Sequence, residues 1–173
     1  DGEERSAEEL PVSLSVYRQF DDRRKAPPDF DLEIEHRIDP PQGSGFGTSG
    51  SGALSLALAL NIALETGLSA QEAAGIAHIA EVENQTGLGT VIGEYFGGFE
   101  LRTEAGAPGY GKIEPLACEA GLQALFVSFG SYSTKEALSD PRTRERINGF
   151  GRAYHEELLA SPKAEDFLRL SAA

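Results

Sequence analysis

Between Gly43 and Gly52 the chain places five glycines, Gly43, Gly45, Gly47, Gly50 and Gly52, among Ser44, Thr48, Ser49 and Ser51, then runs without a break into an apolar segment ending at Gly67. A tight turn needs one or two glycines. A backbone left this open implies that something must come close to it. The apolar segment sets Leu54, Leu56, Leu58, Leu60, Ile62 and Leu64 at every second position, the period of a strand. The residues between them are mostly alanine, which favours helix and disfavours strand. The segment is also long for a strand and stops at a glycine, so it predicts a helix, apolar nearly all round and therefore central. A glycine loop that opens a helix can bind phosphate, because its free N–H groups and the helix dipole both favour an anion. Thr48, Ser49 and Ser51 would add hydroxyls for phosphate or Mg²⁺.

Two other glycine motifs fit less well. Gly45-Phe46-Gly47-Thr48-Ser49-Gly50 matches the dinucleotide pattern GxGxxG, but Pro40-Pro41 precedes it in place of a buried strand, and helix follows helix. The mononucleotide loop ending in GK[ST] is absent, since no lysine follows these glycines.

Around this centre the alternation of Val12, Leu14 and Val16 predicts a strand over Leu10–Tyr17, and that of Phe30, Leu32, Ile34 and Ile38 a second strand. Ser69 with Glu72 forms a capping box for a helix reaching about Gln85. Residues 86–98 read as a second glycine-rich stretch, Gly98–Glu104 as a strand, and LQALFVSFG (122–130) as a buried strand. Ser133 caps a short helix, Asp140-Pro141 opens a longer one, and a further helix follows Ser161.

The net charge of −13 excludes the basic patches that phosphate backbones attract, so nucleic acid is not an expected partner. A membrane is not expected either, because no uninterrupted apolar span is long enough for a bilayer. Cys118 is the single cysteine, so no internal disulfide forms. The chain lacks methionine even at position 1, which suggests a piece of a longer protein.

The stretch PPQGSGFGTSGSGALSLALALN resembles the second motif of the GHMP kinases, roughly PxxxGLGSSAA. AHIAEVENQTGLGTVIGEYFGGFELR resembles one branch of that family, whose archaeal members transfer the γ-phosphoryl group of ATP to the 4-hydroxyl of pantoate on the route to coenzyme A. The resemblance implies an α+β fold. Residues 1–118 would be an N-terminal ATP-binding domain with the glycine-rich phosphate loop, and residues 119–173 the start of a ferredoxin-like C-terminal domain, each incomplete. It implies ATP and Mg²⁺ as cofactors, pantoate as the small-molecule partner, a cytoplasmic location, and it admits a homodimer. A kinase for another small alcohol, or an inactive nucleotide-binding relative, are the alternative readings.

By the same resemblance Gly43, Gly45, Gly47, Thr48, Ser49, Gly50 and Ser51 hold the phosphates. Ser51 and Glu81 act in catalysis and hold Mg²⁺, while His78 and Arg102 bind substrate, Arg102 by its carboxylate. His78 and Glu81, three apart, share a helical face. Lys112 is a further candidate anion contact. Many members carry a catalytic aspartate seven residues before a Gly-Gly pair; here that position is Thr90, which cannot serve as base, and the base is left unassigned between Glu83, Glu94 and none.

Overall fold

The computed structural model describes residues 6–23, 29–119, 121, 123, 125–128, 130, 131 and 133–171. The chain is α+β. Four helices, α1 (Pro11–Asp21), α2 (Thr48–Ala63), α3 (Ala70–Asn84) and α4 (Thr90–Phe96), precede two strands, β1 (Glu100–Glu104) and β2 (Lys112–Pro115). Helices α5 (Thr134–Ser139), α6 (Pro141–Ala160) and α7 (Ala164–Ser171) follow.

Helix α2 is the centre, packed by α1, α3 and α4. Its Ala53 and Ala57 meet Ala73, Ala77 and Ala80 of α3 in one buried cluster. Small residues on both helices let the two axes approach closely, and Leu56, Leu60 and Ile76 fill the flanks. The predicted helix is therefore present, but it begins five residues earlier than its apolar run, inside the glycine stretch. The capping box of α3 is also present. Ser69 Oγ accepts from the Glu72 N–H at 3.2 Å, and Glu72 Oε2 accepts from the Ser69 N–H at 2.8 Å. The caps expected at Ser133 and Asp140 accept from the N–H groups of Glu136 and Thr143.

Three strand expectations are corrected. Residues 11–21 form α1, because Val12, Val16 and Phe20 recur every four residues and Val16 and Phe20 are fully buried against α2 and α3. Proline at the start suits a first helical turn. Residues 31–39 make no ladder: Phe30, Ile34 and Ile38 are exposed, Leu32 reaches the core, and His36 Nε2 meets Ser13 Oγ at 3.1 Å. Within 122–130, residues 122, 124 and 129 lie outside the described residues, and Leu125, Phe126 and Val127 are exposed and belong to no strand. The second glycine-rich stretch, read without a helix, contains α4.

β1 and β2 pair antiparallel, with Leu101 opposite Glu114, Arg102 opposite Ile113 and an irregularity at Thr103. Leu101 and Leu116 join Leu158 of α6 and Leu170 of α7 in a second, smaller core. Phe99 meets Phe167 edge to face there at 5.0 Å. β1 thus links that core to α4, where Arg102 packs against Gly89.

Candidate active site

The glycine loop borders a cavity of about 540 Å³. The loop from Gly43 to Gly50 lines it together with Glu81, Thr86 and Thr90 and with Val127, Ser128, Gly130 and Thr134. Two contacts join the loop to residues 126–128: Ser128 Oγ donates to Ser44 Oγ at 2.9 Å, and Phe46 meets Phe126 at 4.6 Å. Gly43, Gly45 and Gly47 all have φ near +70° to +83°. The loop therefore curls in a way that side chains oppose.

Helix α2 opens into this cavity without a side-chain cap, with Gly47 as its N-cap. Helices α3, α5 and α6 each have one. The first intrahelical bond of α2 runs from the Ser51 N–H to the Gly47 carbonyl at 3.0 Å. The N–H groups of the preceding turn have no partner within the helix and carry its positive end. An anion is the chemistry that this end accepts.

Glu81 on α3 lies beneath that turn, 1% exposed. Ser49 Oγ donates to its Oε1 at 2.5 Å and Thr86 Oγ1 donates to the same oxygen at 2.6 Å. Its Oε2 is buried with no hydrogen-bond partner among the described residues. A Cβ at Gly87 would stand 2.4 Å from Oε2, so the glycine leaves that oxygen its space. No group of three or more His, Cys, Asp or Glu capable of holding a metal occurs among the described residues. Mg²⁺ does not need one: it takes one or two carboxylates and completes its shell with phosphate oxygens and water. An unpartnered buried carboxylate oxygen beside a serine hydroxyl and a free helix N-terminus fits that requirement.

Ser51, expected beside Glu81, is not brought there. It is exposed, donates to the Gly47 carbonyl at 3.2 Å, and is absent from the cavity wall. Ser49 takes that place.

His78 lies one turn before Glu81, its Nδ1 buried and unpartnered among the described residues. Its pKa is held below the usual histidine value, first by burial, then by the Arg102 guanidinium, with Glu81 opposing. His78 and Arg102 therefore share one electrostatic neighbourhood. Arg102 pairs with Glu100 at 3.8 Å, and its carbonyl accepts from His155 Nε2 at 2.8 Å. Lys112 is paired with Glu104. Cys118 is exposed in a loop.

Sequence reasoning named Glu94 only as a candidate base, with no motif to support it. One turn after Thr90 on α4, its carboxyl packs against the glycine loop: a Cβ at Gly50 would lie 2.7 Å from Glu94 Oε2. Its pKa is pushed up to about 7, first by burial and then by the nearby Glu81. The folded chain therefore keeps this proton through a pH range in which the unfolded chain releases it. Its contribution to stability is present at low pH and lost as pH rises from the ordinary carboxyl value towards 7. Glu94→Gln cannot ionise. Its melting temperature relative to the parent is expected to rise between about pH 5 and pH 7.5; a difference constant over that range would show that Glu94 titrates normally.

Residues 12–98 match the family described as GHMP kinases N terminal domain. A pantoate kinase of Thermococcus kodakarensis is 39% identical over 172 residues, covering 98% of this chain and 54% of the relative. One from Methanocaldococcus jannaschii is 38% identical over 141 residues, covering 82% of this chain and 50% of the relative. A solved structure described as a phosphotransferase related to the CoA biosynthesis pathway superposes with a TM-score of 0.70 at 34% identity, over 98% of this chain and 53% of that one. The chain spans about half the length of the curated relatives it matches. With an uncapped helix opening from a glycine loop and a buried acid beneath it, matched across residues 12–98, the chain belongs to the GHMP kinases.

Proposed function

We propose that this chain carries the phosphoryl-transfer site of an ATP-dependent pantoate kinase, acting on the 4-hydroxyl of pantoate in coenzyme A biosynthesis. The observation that carries the reading is the meeting of the uncapped N-terminus of α2 with the Ser49–Glu81 pair; His78 and Arg102 do not line that cavity, but His78 feels the charges of both Glu81 and Arg102. The relatives named pantoate kinase support the choice of substrate.

The loop from Gly43 to Gly50 and the first turn of α2 donate backbone N–H groups to the phosphates of ATP. Bound Mg²⁺ would supply charge neutralisation at the phosphate oxygens. Glu81 and Ser49 are the residues to hold it. Arg102 offers a planar fork to the substrate carboxylate. His78, kept towards its neutral form by burial and Arg102, offers a hydrogen bond to a hydroxyl rather than a second positive charge. On this reading the chain divides after Cys118, residues 1–118 serving nucleotide binding and residues 119–173 beginning a second domain.

Thr90 supplies no base in this mechanism. Its Cγ2 lies against Gly47 and Gly50, where Cβ atoms would come within 3.0 and 3.2 Å. Its role is to support the loop by its shape, and phosphoryl transfer rests mainly on positioning and electrostatics. Thr90→Val, which keeps that shape, is expected to lower kcat by less than about tenfold, the value of one neutral hydrogen bond. A loss of several orders of magnitude with the fold intact would place the hydroxyl in the reaction itself.

Coupled ATP-consumption assays of the whole protein with pantoate, shikimate and mevalonate test the reading. Turnover with pantoate is expected. Turnover with one of the others alone, or with none, overturns it.

A further inference from the structure

Glu100 and Arg102 stand two positions apart on β1 and so leave the same face of the strand. They meet α4 where that helix has no side chains. Gly89 is its N-cap and Gly93 lies four residues on, on the same face. A Cβ at Gly89 would lie 2.2 Å from Arg102 Nη1, and one at Gly93 would lie 2.7 Å from Glu100 Oε1 and 3.5 Å from Arg102 Nη2.

Neither glycine is required by its backbone. Gly89 has φ −175°, which any residue adopts, and Gly93 is an ordinary helical residue, where glycine costs about 1 kcal/mol relative to alanine. What both positions provide is clearance. The guanidinium and the carboxylate lie in a slot on bare helix backbone.

The pair in that slot is only partly satisfied. Its N–O separation is 3.8 Å, longer than the 2.7–2.9 Å usual for a closed charged hydrogen bond. Arg102 Nε and Glu100 Oε2 are both buried without hydrogen-bond partners among the described residues. A salt bridge serving the fold alone would close and use these atoms. Here Glu100 restrains the guanidinium from one side and leaves donors unspent.

We propose that Glu100 is a positioning residue for Arg102, and that the Gly89–Gly93 slot and the Glu100 carboxylate together hold the guanidinium where it meets the carboxylate of the substrate. The proposal rests on the reading of Arg102 as the carboxylate contact. Selectivity for a carboxylated alcohol then resides in a residue that does not touch the substrate, as well as in the arginine that does. Glu100 keeps the charge of Arg102 from turning towards solvent, and the glycines set how deep it lies. A side chain at Gly89 would push the guanidinium out of its position.

Steady-state kinetics on the whole protein test this with Arg102→Ala, Glu100→Gln, Gly89→Ala and the double variant Glu100→Gln/Arg102→Ala. Glu100→Gln preserves size and is expected to raise the KM for pantoate about tenfold, the scale of a lost charged contact, with kcat and the KM for ATP changed by less than about twofold. Gly89→Ala is expected to move the same constant in the same direction. In the double variant the effect of Glu100→Gln should vanish, since residues that act through one another are not additive. If Arg102→Ala raises the KM for pantoate but Glu100→Gln does not, or if the two effects add, the positioning role is overturned. If Arg102→Ala itself leaves that KM unchanged, the carboxylate reading fails, and the proposal built on it with it.

Discussion

Glu81→Gln is expected to lower kcat by about 100-fold or more, since metal assistance to phosphoryl transfer is worth several kcal/mol and each 1.4 kcal/mol is tenfold in rate. The substitution keeps the shape of a side chain that is 1% exposed, and the amide oxygen can still accept from Ser49 and Thr86. What it removes is the anionic oxygen left unpaired beneath the first turn of α2. The Mg²⁺ concentration for half-maximal activity should rise, and the melting temperature should stay within about 3 °C of the parent, the equivalent of roughly 1 kcal/mol for a chain of this size. Unchanged activity across a Mg²⁺ titration would remove Glu81 from the site.

Gly47→Val is expected to weaken ATP binding by about 100-fold, the equivalent of losing two charge-assisted backbone contacts. Two effects act at this position. A Cβ would stand 2.4 Å from Glu94 Oε1 and 3.0 Å from Thr90 Cγ2. The Glu94 carboxyl can swing aside. The backbone cannot adapt as cheaply, because φ is +69° and a β-branched residue there is a true outlier. The loop must flatten, and its N–H groups then no longer converge. Titration calorimetry on the folded variant reads this directly, and parental affinity would show that the loop does not wrap phosphate.

Much of this arrangement was legible in the sequence. The central helix, the capping box at Ser69, the strand that carries Arg102 and the three later helices follow from local signals. Residues 11–21 were not legible, because Val12 and Val16 satisfy both a two-residue and a four-residue period and only the burial of Phe20 decides between them. α4 was hidden for a different reason. Gly89 and Gly93 weaken any local reading of helix, and the need for them comes from Glu100 and Arg102, which reach that helix from a strand. The choice between Ser49 and Ser51 depends on where α2 begins. Two residues apart, they point about 200° from each other around the helix, so one faces Glu81 and the other faces outward. Glu94 carries no motif, and its raised pKa arises from burial that only the folded chain provides.

Because α2 begins within the glycine loop and continues as the helix against which α1, α3 and α4 pack, the proposed phosphate contacts and the main core belong to one element. The loop cannot detach without disturbing the first turn of α2. Occupancy and folding are therefore thermodynamically linked along a single helix. Nucleotide at about 100 times its dissociation constant should add roughly 2.7 kcal/mol to global unfolding. Amide protons in the middle of α2, well away from any phosphate, should exchange correspondingly more slowly in its presence.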